Sequence, residues 1–480
     1  VRYYVVTVPN AAPYDVVIVG SGPSGTAFAQ VLVRAGRRCL LLEAGDRFAP
    51  SQYPRNERDG NARLFWGGGA EFDGDARMNF LRARVLGGGS VVDQALWDRF
   101  DTIALDDFRA KSGIDDFDAT TMAAWYDRAE RLLELRTIPE AAWNENAKRY
   151  ARAFAAKGYR FAALRRAQSD CRWNSGNDCI ACLNGCRAGS KQSMAQAVLP
   201  ALEAAGLEVR TGVTVQAIQE KSESVTVLGR DASGRPLIFF GRRLVLAAGP
   251  CGNVPLLARA FADAGKRPPK GLGEGFFAHP QFMTFGVFRE PVDAHRGAFQ
   301  ALQSDEPRFR EAGFKLTNGF APPAVLAMLV PERRRALLRK LATWRHWGAI
   351  EVAVRDATPG RIVVSANGRV RLERPLRAED RARRDRGLAV ARELLAAAGA
   401  IDVFEGRLPV GLHLMGGCRM GADDRRDVVD PDGRVYGFRR LHVGDGSIFP
   451  AAPGLNPTLT ITAVSLRNAE KVLRWIGREV

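Results

Sequence analysis

The sequence predicts an α/β protein: a dinucleotide-binding βαβ unit opens the chain, and a second, α+β lobe is interleaved with it. Three observations carry this reading. Residues 14–25, YDVVIVGSGPSG, set a buried strand, a glycine turn and a helix start in order. Strand-like runs return much later, in LEVRTGVTVQAI (207–218) and RLVLAAGP (243–250), and the last seventy residues revert to glycine-rich turns. A length of 480 residues also exceeds what one hydrophobic core usually holds.

The opening unit is the most specific. Val16 to Val19 is an apolar run suited to a parallel strand buried on both faces. Gly20, Gly22 and Gly25 follow at the GxGxxG spacing, and Thr26 to Arg34 reads as a helix. These glycines permit a tight turn, close approach of the backbone to a pyrophosphate, and close packing of helix on strand. The amides at the helix start then bind the negative charge. A second strand, Cys39 to Leu42, ends in Glu43, where a carboxylate can hydrogen-bond a ribose hydroxyl.

Composition narrows the class. The chain is 46% hydrophobic and 26% charged, as in a soluble globular protein. Its formal charge of +17 favours anionic partners. The basic residues are spread along the chain, however, with no aromatic-interleaved basic repeat, so nucleic acid is not expected as a partner. No apolar run is long enough to cross a membrane. The start, VRYYVVTVPN, carries no signal-peptide pattern, and seven cysteines, an odd number, argue against a disulfide framework. A reducing, cytoplasmic setting is expected.

Between the two glycine-rich ends, residues 105–165 read as mainly helical. Met122, Trp125, Ala129, Leu132 and Leu133 fall on one helix face there. A helix is expected over Gln192–Ala205, a hairpin turn at 231–234, β segments at 349–354 and 361–373, and a final helix from Thr458 to Ile476. PERRRALLRKLATWRHW (331–347) sets Leu337, Leu338, Leu341, Trp344 and His346 among basic residues. That pattern suits either an interfacial helix in peripheral contact with a membrane or, by preference, a surface helix with its apolar side on a sheet. The apolar block APPAVLAMLV (321–330) fits core packing and a hydrophobic substrate equally.

At the C-terminus the motifs accumulate. GLHLMGGCRMG (411–421), VVDPDGRVYGFRRLHVGDGSIFP (428–450) and GLNPTLTIT (454–462) closely resemble the signature end of glucose–methanol–choline (GMC) oxidoreductases. LGGGSVVDQ (86–94), LAAGPCGNVPLL (246–257) and His279-Pro280 match interior motifs of that family in the same order. NDCIACLNGCRAGSKQS (177–193) is most similar to its long-chain alcohol oxidase and membrane-linked dehydrogenase branches. The resemblance implies a Rossmann-like FAD-binding domain in three parts, 11–100, 191–282 and 411–480. A mainly helical cap with a cysteine-rich loop (101–190) and a substrate-binding lobe (283–410) would interrupt it.

The implied chemistry is oxidation of a small-molecule alcohol by FAD, which needs a base beside the flavin. His413 matches the family's base, and Asn456 the second polar site, where an amide holds the substrate oxygen. Further cofactor contacts carry over to Gly87, Gly88, Gly89 and Ser90, to Val215 beside the adenine, and to Asp445 and Gly446 at the diphosphate. Pro457 and Thr458 would begin a helix aimed at the flavin. Asp93 departs from the family, which has Asn there; a carboxylate would lower the flavin potential unless protonated or paired. His279 and His442 read as structural. With no His in residues 60–100, the FAD is expected to be non-covalent.

Cys171, Cys179, Cys182 and Cys186 follow a C-x7-C-x2-C-x3-C spacing. Clustered thiolates suit an iron–sulfur cluster or zinc, against reduced thiols or a local disulfide. A cluster would pass electrons to a cytochrome or quinone. Two other functions remain open on the same scaffold: a lyase or other non-redox reaction with bound FAD, and an electron-transfer subunit of a dehydrogenase.

Overall fold

The apolar run Val16–Val19 becomes the middle of a seven-stranded sheet in the computed structural model, which describes residues 13–169, 171, 179–298 and 300–477. Strand Tyr14–Val19 pairs in parallel with Cys39–Leu42 on one side and with the end of Pro236–Leu246 on the other. Glu208–Arg210 and Leu441–Val443 extend the parallel sheet at its two sides. Solvent reaches neither face of the central strands, which is why they read as unbroken apolar runs rather than alternating ones. The first half of Pro236–Leu246 leaves this layer and pairs antiparallel with Val225–Arg230, which in turn pairs with Thr214–Glu220. The expected hairpin turn is closed by Asp231, whose Oδ1 accepts from the amides of Ser233 and Arg235.

Helix Pro23–Arg34 packs under this sheet against the last helix, Thr458–Gly477, which also touches Ala119–Glu130. Within 105–165, helices Thr102–Ser112, Ala119–Glu130 and Glu145–Ala156 begin at Asp101, Asp118 and Asn144, each side chain accepting from a first-turn amide. The Ala119–Glu130 helix stops before Leu132, and its buried side is Met122, Tyr126 and Ala129, with Trp125 only half-buried. The helix expected over 192–205 divides into Met194–Ala197 and Leu199–Ala204. Pro200, which has no amide to donate, accounts for the break.

The second sheet joins nine strands among the described residues, with Pro280–Val287 and Trp347–Val354 central and Phe314–Asn318 next to the latter. Helix Ala378–Ala397 covers one face with Leu388, Ala391, Leu394 and Leu395. The opposite face carries Lys315, Thr317 and Glu351, brought together by strand alternation and by the register Thr317↔Glu351. Asn79–Phe80 pairs with Val410–Gly411, so an early segment is stitched into this sheet and the two lobes interleave.

Packing bears on two of the apolar segments. Ala321, Leu326, Leu329 and Val330 lie in the second core, while Pro323 and Ala324 are exposed. Helix Arg334–Leu341 buries no residue completely; Leu337 and Leu341 lean on that core while Leu338 is 68% exposed. No helix among the described residues is long and apolar enough to cross a membrane.

A buried ion triad fixes the edge of the second lobe nearest the site. Arg374, fully enclosed, lies 2.6 Å from Asp356 and 3.3 Å from Asp380. Asp356 Oδ2 accepts from the His279 amide at 2.8 Å, holding His279 at a φ of +49° that a non-glycine residue seldom adopts. Removing one partner of such a set strands the others without water. Arg374→Met is therefore expected to cost about 3–5 kcal/mol in denaturant unfolding; a loss below ~1 kcal/mol would show the triad to be dispensable.

Candidate functional site: a dinucleotide cavity and a histidine–asparagine pair

A cavity of about 1050 Å³ opens above the C-terminal ends of the parallel strands, at the upper end of the range for small-molecule sites. Gly20, Gly22, Glu43, Gly88, Gly89, Val215, Asp445, Gly446 and Thr458 all line it. Gly20 stands at φ +101°, and a Cβ there would overlap the Ala247 carbonyl; a Cβ on Gly88 would come within 2.7 Å of Gly22 Cα. The Pro23–Arg34 helix opens on Gly22 with no side-chain cap and no acidic residue in its first turn. Its leading amides are thus available to an anion in the cavity, and these features together fit a dinucleotide pyrophosphate.

The remaining predicted cofactor residues shape this cradle from behind. Gly25 packs against the Gly20 carbonyl, where no side chain would fit. Ser21 ties the cradle together: its hydroxyl donates to Glu43 Oε2 at 2.6 Å and accepts from the Gly87 amide at 2.9 Å. Glu43 also accepts from the amides of Ser21 and Gly45, so it braces the turn as well as facing the cavity; burial pushes its carboxyl pKa up. The Ser90 hydroxyl is engaged within the protein, donating to the Gly87 carbonyl and accepting from the Met194 amide. The Asp445 carboxylate accepts from Gly249, Asn253 and Ser447, leaving the cavity to the backbone around Gly446. Pro457 is buried at the start of the last helix and does not line the cavity.

His413 sits between two cavity-lining residues, Leu412 and Leu414, and Asn456 lies two residues before Thr458. The structure brings the two together, with Asn456 Nδ2 3.5 Å from His413 Nε2. The other ring nitrogen of His413, Nδ1, is 2.7 Å from Nδ1 of His279. Burial, followed by the positive charge of Lys315, lowers the His413 pKa to about 3; burial also lowers that of His279. Lys315 Nζ donates to Asn456 Oδ1 at 2.8 Å and to Asp98 Oδ2 at 2.6 Å. Glu351, on the neighbouring strand, has its pKa pushed up to about 7 by burial. Sequence reading missed Lys315, Asp98 and Glu351 and took His279 as structural. FKLTN looks like a strand with a solvent-facing lysine, and only the sheet register reveals that this face turns inward. His442 is buried beside Arg243, away from this cluster.

Burial raises the Asp93 carboxyl pKa, and Lys191 Nζ stands 4.0 Å from Oδ1 in opposition. Lys191 also donates to the carbonyls of Val91, Asp93 and Cys182, tying the cysteine loop to the glycine-rich segment. Cys171, Cys182 and Cys186 are buried. Cys186 Sγ is 3.4 Å from Ser190 Oγ; a hydrogen bond between the two thiols lowers the Cys186 pKa to about 4 and raises that of Cys182. Among the described residues no group of three or more His, Cys, Asp or Glu could hold a metal ion. Residues 172–178 and the Cys179 side chain lie outside them, as does the N-terminal stretch 1–12.

Comparison with known proteins places this architecture. Family models described as GMC oxidoreductase match residues 14–281 and 360–465, and the chain belongs to that family of FAD-binding oxidoreductases. It is 28% identical to an uncharacterized GMC-type oxidoreductase of Sinorhizobium fredii, over 97% of this chain and 95% of the relative. It is 25% identical to a long-chain-alcohol oxidase of Arabidopsis thaliana (96% and 67% covered) and 24% identical to a cholesterol oxidase of Mycobacterium tuberculosis (95% and 90%). Among solved structures, pyridoxine 4-oxidase from Mesorbium loti superposes with a TM-score of 0.73 at 18% identity, covering 96% of this chain and 99% of that one. These likenesses agree with the α/β FAD-binding fold and interleaved lobe expected from the sequence.

Proposed function

We propose that this protein oxidises an alcohol to an aldehyde or ketone, with His413 as the base and Asn456 holding the substrate oxygen. The observation that carries this reading is the pairing of His413 Nε2 with Asn456 Nδ2, close in the chain to Leu412, Leu414 and Thr458, which line the dinucleotide cavity. Bound FAD supplies the acceptor for the hydride that leaves the alcohol carbon. The hydroxyl proton passes to Nε2 of His413, which burial and Lys315 keep neutral and ready to accept it. The Asn456 amide donates to the same oxygen without competing for the proton. Gly20, Gly22, Gly88, Gly89, Val215, Gly446 and Thr458 would hold the cofactor along the cavity, non-covalently. The alcohol and cholesterol oxidase relatives support an alcohol substrate over a non-redox reaction. The electron acceptor, oxygen against a quinone or cytochrome, is separated by re-oxidising reduced protein with each in parallel.

Acid precipitation of the purified protein should release yellow flavin to the supernatant; flavin held in the pellet would refute a non-covalent site. In anaerobic mixing with its best alcohol, His413→Ala should retain FAD but reduce it ~10²–10⁴-fold more slowly. Reduction at the wild-type rate would overturn the base assignment, and turnover without bleaching would identify a lyase. A base whose pKa is lowered loses activity only as pH falls through that lowered value. The wild-type rate of reduction should therefore show no acid limb from His413 above about pH 5.

For the cysteine loop we propose reduced thiols, on the support of the hydrogen-bonded Cys182–Cys186 pair. Metal analysis of anaerobically purified protein should then find neither iron nor zinc, with the loop thiols titrating. About three or four irons per chain would instead establish a cluster on Cys171, Cys179, Cys182 and Cys186 and a one-electron acceptor.

A further inference from the structure

We propose that Lys315 is a positioning residue that sets the tautomer of His413, so that the ring meets substrate with a lone pair rather than a proton. The proposal rests on the reading of His413 as the base and extends it to a residue that acts on the ring through Asn456.

An ammonium group only donates hydrogen bonds. The Asn456 atom 2.8 Å from Lys315 Nζ must therefore be the amide oxygen, which fixes the side-chain orientation. Nδ2 is then the atom that faces His413 Nε2 at 3.5 Å. Two N–H groups cannot be directed at one another, so Nε2 presents its lone pair and the proton of the neutral ring sits on Nδ1. That proton is donated across 2.7 Å to Nδ1 of His279, which must accept there and carry its own proton on Nε2.

The last step has a cost that is visible in the structure. Among the described residues, His279 Nε2 is buried without a hydrogen-bond partner. An unsatisfied buried N–H costs roughly 1–3 kcal/mol. The opposite arrangement, with His279 donating to His413, would remove that penalty, since a bare ring nitrogen is cheaper to bury than an N–H. It would also put the His413 proton on Nε2, against the Asn456 amide and in the place where a base is needed. Lys315 decides between the two. Its own position is secured by Asp98 at 2.6 Å, and side-chain exposures of 2% and 9% leave the pair no competing water.

The same lysine acts on charge. The ionisable groups grouped around the two histidines are Lys315 and Asp98 on His413, Arg310 and Lys315 on His279, Asp356 at the His279 amide with Arg374 paired to it, and Glu351, which senses Lys315. Arg310 is committed to Asp101 and to the carbonyls of Pro453 and Gly454. Replacing Lys315 with a neutral residue removes a cation and leaves Asp98 uncompensated, and both changes favour a protonated ring.

The test uses FAD-loaded protein with labelled histidine, a tractable set because the chain has five histidines. The His413 ring is identified by its loss in His413→Ala, and its ¹⁵N spectrum reports tautomer and protonation independently of turnover. In the wild type the expected result is a neutral ring, protonated on Nδ1, from about pH 5 to 8. In Lys315→Met the ring should gain an Nε2-protonated population and titrate about 1–3 units higher; Lys315→Arg, which keeps the charge, should hold the ring neutral. Asn456→Ala breaks the relay without touching the Lys315–Asp98 pair and should also mix the tautomers, so the proposal stays testable if Lys315→Met folds poorly. An unchanged His413 tautomer in Lys315→Met or in Asn456→Ala would overturn it. Wild-type reduction by His413→Ala would sink the base assignment alone and leave the tautomer result standing, so the two failures are distinguishable.

Discussion

Four stretches of chain meet through glycines whose close contacts leave no room for a side chain, and the rest of the molecule is arranged round that meeting. Gly20 lies against the Ala247 carbonyl, Gly88 against Gly22, and Gly45 against the backbone of Arg84 and Val85. The Ser21 hydroxyl locks the contact by donating a hydrogen bond to Glu43 and accepting one from the Gly87 amide. Burying the Glu43 carboxylate is costly, and the donors from Ser21 and Gly45 offset that cost. Because the contact draws on residues near 20, 45, 87 and 247, the long segment from 87 to the strand at Glu208–Arg210 has to leave the first sheet and return to it. Interleaved lobes follow from that closure.

The second lobe contributes the reacting neighbourhood by a different rule. Strand alternation puts Phe314 and Leu316 under the Ala378–Ala397 helix and turns Lys315 and Thr317 to the other face, opposite Glu351. His279 enters from the end of an adjoining strand, and Arg374 with Asp356 and Asp380 keeps it there. A buried triad of this kind is weak evidence for stability, since well-packed apolar residues often do as well. Its value here is positional: the His279 backbone is held by a carboxylate that is itself held, so the ring stays in reach of His413.

Sequence made the first lobe legible because its constraints are local. A GxGxxG turn, an apolar strand and a terminal acid are contiguous, and each carries its own physical reason. His413 and Asn456 could be picked out for a related reason, since short motifs surround them. Lys315, Asp98 and Glu351 left no such trace. Each is a charged residue in an ordinary local setting, and its meaning arises only when the sheet register and the closing of the lobes take water away. The contact of His279 with His413 was not legible either, because a histidine before proline in an apolar segment carries no sign of a second histidine 134 residues away. The Gln192–Ala205 break was within reach of the sequence, as Pro200 stands inside the expected helix.

Charge explains why a lysine is worth enclosing in this place. Hydrogen bonds in series polarise one another inside a protein. With its oxygen held by the Lys315 ammonium, the Asn456 amide becomes a stronger donor at Nδ2, on the side where a departing proton would leave negative charge on a substrate oxygen. The same ammonium discourages a second proton on His413 in the resting state. Asp98 neutralises the lysine over distance, so the pair acts as a dipole directed along the amide rather than as a net charge in the core. On the proposed tautomer, the His279 N–H, unpaired among the described residues, stands at the far end of this chain of donors and acceptors. Its cost is tolerable because every other member, from Asp98 to the His413 ring, is oriented in the sense that proton removal requires.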